Sequence, residues 1–190
     1  MEAILKKEFT LDKALLRVLA TATFVILTAL SAFVRIPLPF SPVPVTLQTM
    51  FVLLAGACLG PGLGAASQLS YILLGVGGLP IFTNAGYGLS YLLGPTGGYL
   101  AGFVLAGIFI GKCIQYAGKK FIHTFALFCL ADLLLSSCGM VWLKTLLGIS
   151  VQKSFLIGFL PFLPGDLFKA FFAALFYFKM KPRVKKMFGV

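Results

Sequence analysis

The sequence predicts an all-α integral membrane protein, a bundle of six transmembrane helices with both termini in the cytoplasm. Of its 190 residues, 59% are hydrophobic and 11% are charged, whereas a soluble domain carries roughly 25% charged residues. The apolar residues fall into runs that suit membrane-spanning helices. Lysine and arginine collect near the two ends of the chain and in one loop. A soluble core of this size could not bury so much apolar surface, so we expect lipid to cover a single membrane domain over residues 1–190.

The predicted spans follow one another in order with short connections. A basic amino-terminal segment precedes the first span. A loop with prolines at positions 37, 39, 42 and 44 follows it, since that density of proline excludes helix interior. A glycine-rich loop, a basic loop, a short connection over residues 148–153 and a basic tail separate or follow the later segments. The six spans are predicted at residues 15–34, 46–59, 62–75, 95–114, 124–147 and 155–178.

The number of crossings depends on the segments 46–59 and 62–75, which are short for full spans. They could instead form one kinked helix around Gly60-Pro61-Gly62, which would give five crossings. Six crossings place both basic termini on one side together with most of the 16 basic residues. Because positively charged loops stay in the cytoplasm, we expect six crossings, with the loops at 35–45 and 75–94 on the outer face.

Glycines four residues apart recur in this chain, at Gly94, Gly98 and Gly102 among other places. Small residues at this spacing let helix backbones approach closely in lipid. We therefore predict close packing along the fourth span. Gly60 fits a turn better than a helix contact, because Pro61 and Gly62 follow it.

An acid and a base occupy the final apolar segment. Asp166 and Lys169 are three residues apart, so they share a helix face, and Pro164-Gly165 places the acid near a helix amino end. Ionisable groups inside a membrane usually mark a functional site. The carboxylate could accept N–H donors of a ligand and the lysine could pair with a ligand carboxylate. Alternatively, Asp166 only caps the helix, with Lys169 as its ion-pair partner.

Asp132 is a second acid within an apolar run. It could pair with Lys112 or contact a partner protein, and a structural role is the preferred interpretation.

The sequence lacks the residues that several other functions require. The four cysteines lie in apolar runs without a CxxC pair, and His123 is the one histidine, so we expect no metal and no cofactor. The sequence contains no GxxxxGK[ST] phosphate loop and no catalytic Ser/His/Asp pattern, so an enzyme is not expected. The net charge of +11 is better explained by anionic lipid headgroups than by nucleic acid.

Three motifs resemble those of the BioY family, the biotin-specific substrate-binding (S) components of energy-coupling factor transporters. The first is Pro42-Val-Pro-Val-Thr-Leu-Gln-Thr49. The second is Gly78-Leu-Pro-Ile-Phe82 followed by Gly94-Pro-Thr-Gly-Gly98, and the third is Pro161-Phe-Leu-Pro-Gly-Asp-Leu-Phe-Lys169. The resemblance covers residues 15–175 and keeps the order and spacing of all three motifs.

The resemblance implies high-affinity capture of biotin near the outer face of the cell membrane, as part of vitamin uptake. It implies that Asp166 and Lys169 line the site, and we add Asn84, Tyr87, Tyr91 and Gln48 from the neighbouring loops as further candidates. Implied partners are biotin, a transmembrane coupling protein and two cytoplasmic ATPases. The alternatives are an S component for another vitamin, a non-catalytic structural subunit, and a membrane enzyme acting on lipid.

Overall fold

The computed structural model describes residues 2–118 and 120–188, with side-chain surroundings from Lys13 onward. This part of the chain is mostly helical, as predicted, apart from one pair of two-residue strands and two single 3₁₀ turns. The strands β1 (Arg35–Ile36) and β2 (Val45–Thr46) pair antiparallel. The α-helices are α1 (Glu2–Ser31), α2 (Gln48–Val76), α3 (Gly88–Leu92), α4 (Gly97–Cys113), α5 (Phe121–Leu147), α6 (Val151–Gly158) and α7 (Leu163–Phe188).

Several of these helices are long and apolar enough to cross a membrane. Within the described residues they are Lys13–Ser31, Gln48–Val76, Gly97–Tyr116 and Phe121–Leu147. The pair α6 and α7, bent by 52° at a short break, passes the same criteria when taken together as a fifth span.

The helix α2 reverses direction in its middle. Gly60 has φ 80° and ψ 178°, which is outside helical geometry, and Pro61 follows it. A Cβ atom on Gly64 would lie 2.7 Å from the Cα of Gly56, although eight residues of straight helix would separate these positions by about 12 Å. The sharp turn predicted at Gly60 is therefore present, and α2 consists of two arms, 48–59 and 61–76, that lie side by side.

The predicted span at 155–178 is broken in the structure. Helix α6 begins within the expected connection 148–153, because the Ser150 side chain accepts a hydrogen bond from the backbone N–H of Lys153 at 3.2 Å and caps the helix. The chain then breaks after Gly158, and α7 begins at Leu163 with Pro164 in its first turn, where proline is tolerated. Asp166 therefore lies in the first turn of α7, which confirms its predicted position near a helix amino end. The break was expected at Pro164-Gly165, and it comes slightly earlier, over 159–162.

Helix α4 packs against both α2 and α5 through the predicted glycines. A Cβ on Gly102 would lie 2.8 Å from the backbone oxygen of Leu135 in α5, and one on Gly111 would lie 2.5 Å from the backbone nitrogen of Pro61. The backbone of Gly98 contacts Trp142. The close packing predicted for the fourth span is confirmed at Gly98 and Gly102, whereas Gly94 precedes α4.

The two ends of the bundle differ in character. At one end, the Lys181 ammonium donates a hydrogen bond to the carbonyl of Gly118 at 2.6 Å, which ties the basic tail to the loop before α5. The opposite end carries the strand pair, α3, and the break between α6 and α7. The candidate site lies at this second end.

Candidate functional site

A cavity of about 550 Å³, measured to its open mouth, lies between α2, α4, α5 and α7 beneath the strand pair. Its apolar walls include Val43, Val45, Leu100, Phe103, Leu135 and Phe162. Its polar groups come from the strand pair and from four helical segments, and they include Thr46, Gln48, Tyr71, Thr83, Ser136, Asp166 and Lys169. The mixture of apolar walls and a few polar groups is typical of a binding site for a small amphipathic molecule.

Asp166 and Lys169 form a buried ion pair in this cavity. The Lys169 Nζ atom lies 2.6 Å from Oδ1 of Asp166 and donates a hydrogen bond to the backbone carbonyl of Thr46 at 3.0 Å. Asp166 and Lys169 are 5% and 7% exposed. The Asp166 carboxylate pairs with Lys169 and accepts a hydrogen bond from the Ser136 hydroxyl at 3.3 Å. In a helix cap, backbone N–H groups would donate to the carboxylate instead.

Asp132 lies directly behind this ion pair. It is 5% exposed, and it lines a crevice between α5 and α7 together with Asp166. Lys112 is exposed near the carboxyl end of α4, so the Lys112 pairing considered from the sequence is wrong. Asp132 instead faces α7, because it occupies the same side of α5 as Ser136, one turn away.

A hydrogen-bonded network joins the two arms of α2 on the other side of the cavity. The Gln48 amide donates to the Tyr71 hydroxyl at 2.7 Å, and Tyr71 donates to the carbonyl of Ile81 at 3.2 Å. The Thr83 hydroxyl donates to the Gln48 side-chain oxygen at 3.4 Å. These bonds hold Gln48 at the cavity wall and tie the loop at 77–87 to the bundle.

Aromatic rings close the cavity beneath the loop that follows α2. Phe82 is fully buried. Its ring stacks on Tyr91 with centroids 4.8 Å apart, and it meets Tyr71 edge to face at 5.5 Å. Offset stacking and edge-to-face contacts are the favourable geometries for aromatic pairs, so this cluster forms a rigid part of the wall.

The six candidate residues fall into two groups. Gln48, Tyr91, Asp166 and Lys169 line the buried cavity. Asn84 and Tyr87 line a shallower depression of about 890 Å³ above it, which shares Tyr91. Asn84 lies in a 3₁₀ turn with φ 64°, and Tyr87 is 59% exposed. The structure therefore does not bring Asn84 and Tyr87 together with the ion pair.

Sequence reasoning missed other residues of the cavity. Tyr71, Tyr99 and Ser136 each supply a hydroxyl group to its lining. Tyr99 donates a short hydrogen bond to the carbonyl of Gly158, which anchors α4 to the end of α6. The available signal was weak, because a single hydroxyl in an apolar run costs little and is common in membrane helices.

Comparison with known proteins agrees with this geometry. A sequence profile of the BioY family matches residues 6–186. This chain belongs to the BioY family. The resemblance seen in the three sequence motifs is thereby confirmed.

Individual relatives of this BioY-family chain match it over most of its length. A protein of Pyrococcus horikoshii named "Probable biotin transporter BioY" is 39% identical over 149 residues, which cover 78% of this chain and 86% of the relative. A Lysinibacillus sphaericus protein of the same name is 39% identical over 181 residues, covering 90% and 87%. The "Biotin transporter BioY" of Thermotoga maritima is 36% identical over 163 residues, covering 83% and 91%.

A solved structure has the same fold as this BioY-family chain. It is the crystal structure of the S-component for biotin from an ECF-type ABC transporter, with a TM-score of 0.83 and 25% sequence identity. The alignment covers 90% of this chain and 93% of that chain. The bundle described above is thus an S-component fold, and the chain is a multi-pass membrane protein of a transporter family.

Proposed function

We propose that this chain is the biotin-binding S component of a vitamin uptake transporter. The observation that carries the proposal is the buried Asp166–Lys169 ion pair in the wall of a largely apolar cavity. Buried charges are costly in lipid surroundings, and a ligand of complementary charge is a sufficient reason to retain them. The names of the relatives and the fold of the biotin S-component support the same assignment.

Biotin has chemical groups that match those of the cavity. Its ureido ring presents N–H donors beside a carbonyl acceptor, its sulfur-containing ring and methylene chain are apolar, and its chain ends in a carboxylate. We assign Asp166 as the acceptor for the ureido N–H groups, since an ionised carboxylate is an acceptor only. The Gln48 amide and the Tyr91 hydroxyl are polar groups of the same lining and can complete the hydrogen bonding.

Lys169 has a donor to spare for the ligand carboxylate. An ammonium group has three N–H donors, and the described residues occupy two, through Asp166 and the carbonyl of Thr46. A ligand carboxylate would accept the third in a charge-assisted hydrogen bond, which is stronger than one between neutral groups. Lys169 therefore provides the preference for an acidic ligand.

Asn84 and Tyr87 are assigned to the entrance and not to the binding cavity. Both line the depression above the cavity, next to Tyr91. We propose that biotin passes this depression on its way to Asp166, and that these side chains make contacts with it only during entry.

The chain is proposed to cross the cell membrane six times with both termini in the cytoplasm. The reversal at Gly60 turns α2 into two crossings. Together with α1, α4, α5 and the bent pair α6–α7, they make six. The Lys181–Gly118 hydrogen bond places two basic segments at one end, and the positive-inside rule assigns that end to the cytoplasm. The cavity then opens to the outside.

The chain is proposed to capture biotin and to leave energy use to its partners. The partners expected for an S component are a transmembrane coupling protein and two cytoplasmic ATPases, and membrane lipid surrounds the bundle. We assign no enzymatic activity, cofactor, metal or nucleic acid to the chain.

Equilibrium binding of radiolabelled biotin to the purified protein in nanodiscs tests the proposed function. We expect saturable binding of one biotin per chain, displaced by unlabelled biotin and not by thiamine or riboflavin. Tight binding of another vitamin without binding of biotin would identify an S component of different specificity. Absence of binding by a folded protein to all three vitamins would favour a structural subunit.

A further inference from the structure

Asp132 lies on the side of Asp166, the proposed binding acid, that faces away from the cavity. Asp166 lines both the main cavity and an apolar crevice between α5 and α7, and Asp132 lines the crevice only. The other neighbours of Asp132 in the crevice are apolar. Within the described part of the chain, the Oδ1 atom of Asp132 has no hydrogen-bond partner. Asp166 thus separates Asp132 from the space assigned to the ligand.

The charges of this cluster do not balance when both acids are ionised. Asp132 and Asp166 line the same crevice, and Lys169 pairs with Asp166. The cluster would carry one net negative charge without ligand and two with a bound biotin carboxylate. Two carboxylates that share a site of low polarity cannot both ionise readily, and such a pair retains a proton.

We propose that Asp132 is a positioning residue that shares one proton with Asp166 and thereby sets the charge and orientation of the binding acid. A protonated Asp132 donates a hydrogen bond to Asp166, whose remaining lone pairs face Lys169, Ser136 and the ligand. This inference rests on the proposed function, because it concerns the same site. It adds that biotin binding is linked to the protonation of a residue that does not touch biotin.

The linkage has a definite sign. The bound carboxylate adds negative charge near the pair, so the complex holds the shared proton more tightly than the empty site does. The affinity for biotin is therefore at its maximum while the proton is bound both in the empty site and in the complex. It falls as the pH rises past the point where the empty site loses the proton, by about tenfold per pH unit for a single proton.

Other titratable groups near the pair are few and can be separated from it. Within the described residues, α7 contributes Lys169, α4 contributes Tyr99, and α5 itself contributes Cys129. On α2, Tyr71 lines the far wall of the cavity, and on α6 the titratable residue is the exposed Lys153. A change confined to Asp132 leaves all of these groups in place.

The test compares the pH dependence of biotin affinity in the wild type, in Asp132→Asn and in the control Ser137→Ala. Ser137 is a half-buried residue of α5 that hydrogen bonds to its own helix and is not part of the cavity lining. Asparagine can donate to Asp166 but has no proton to lose. We expect Asp132→Asn to bind within about threefold of the wild type at pH 6.5, and to lack the alkaline decline shared by the wild type and the control.

The outcomes distinguish this inference from the proposed function. Biotin binding with identical pH profiles in the wild type and Asp132→Asn would overturn the shared proton and leave the function intact. Failure of the wild type to bind biotin would overturn the function itself. If Asp132→Asn does not fold, infrared spectroscopy of the wild type with biotin labelled with ¹³C at its carboxyl group decides. A protonated carboxyl band of protein origin supports the proposal, and its absence contradicts it.

Discussion

Lys169 joins two parts of the chain that are far apart in sequence. Its ammonium group donates to the backbone carbonyl of Thr46 at 3.0 Å while it pairs with Asp166 at 2.6 Å. Thr46 ends the strand that covers the cavity. The residue proposed to bind the ligand carboxylate thus also holds the outer strand pair against α7, so occupation of the cavity and closure of this loop are expected to be coupled.

Removal of the Ser136 hydroxyl should weaken biotin binding, because this group donates to Oδ2 of Asp166 and lines the cavity. Loss of one hydrogen bond to a charged group corresponds to roughly 1.5–3 kcal/mol at most, and water can replace part of it. We expect Ser136→Ala to raise the Kd about three- to thirtyfold in an equilibrium binding assay. Ser137→Ala, one residue away and outside the cavity lining, serves as the control and should bind as the wild type does.

The Tyr71 hydroxyl should matter for binding although it was not a candidate from the sequence. It accepts from Gln48 and donates to Ile81, so Tyr71→Phe leaves a buried amide without its partner. An unsatisfied buried polar group costs about 1–3 kcal/mol. We expect a fall in biotin affinity of about tenfold together with a lower Tm. Tyr116→Phe is the matched control, since Tyr116 is 80% exposed. Unchanged biotin affinity in Tyr71→Phe would show that the hydrogen bonds among Gln48, Tyr71 and Ile81 do not contribute to binding.

The contact between the arms of α2 predicts an asymmetric response to added methyl groups. A Cβ on Gly64 would lie 2.7 Å from the Cα of Gly56, whereas one on Gly62 would meet no atom within 4 Å. Overpacking of this kind costs about 1–3 kcal/mol. Gly64→Ala should therefore lower the Tm by roughly 3–10 °C, while Gly62→Ala should leave it unchanged. Equal Tm values for the two variants would contradict the side-by-side arrangement.

The proposed topology predicts that both termini are protected in intact cells. Epitope tags added at either end should react with antibody only after the membrane is permeabilised, because both basic ends are assigned to the cytoplasm. A tag inserted in the proline-rich loop between β1 and β2 should react without permeabilisation. Accessibility of one terminus and not the other would show an odd number of crossings.

The helical membrane bundle and the central ion pair were predictable from the sequence for simple physical reasons. Apolar runs of this length are expected to form helices that lie in lipid. An acid and a base one turn apart within such a run also have few roles. Gln48 was similarly conspicuous, as a polar residue at the start of an apolar segment.

Other features depend on how helices cross, which a single sequence does not encode locally. Tyr71 reaches Gln48 only because α2 reverses at Gly60. Asp132 meets Asp166 because α5 packs on α7, and not because of any spacing between them in sequence. Pro164-Gly165 predicted a helix start just before Asp166, but the apolar residues that continue through 159–162 gave no sign that the preceding segment is a separate helix, α6. Asn84, Tyr87 and Tyr91 were equal candidates for the binding site because they share one loop in the sequence. Of the three, Tyr91 lines the cavity, and Asn84 and Tyr87 line only the depression above it.

The preference of the site for an acidic ligand is the most direct test of the role of Lys169. We would measure the affinities of biotin and of its neutral methyl ester for the wild type, for Lys169→Met and for the control Lys153→Met, which changes an exposed lysine of α6. The wild type and the control should prefer biotin to the ester by about tenfold or more, because a charge-assisted hydrogen bond is lost in the ester. Lys169→Met should bind the two ligands equally. A folded Lys169→Met protein that keeps the full preference for biotin would contradict the placement of the ligand carboxylate at Lys169.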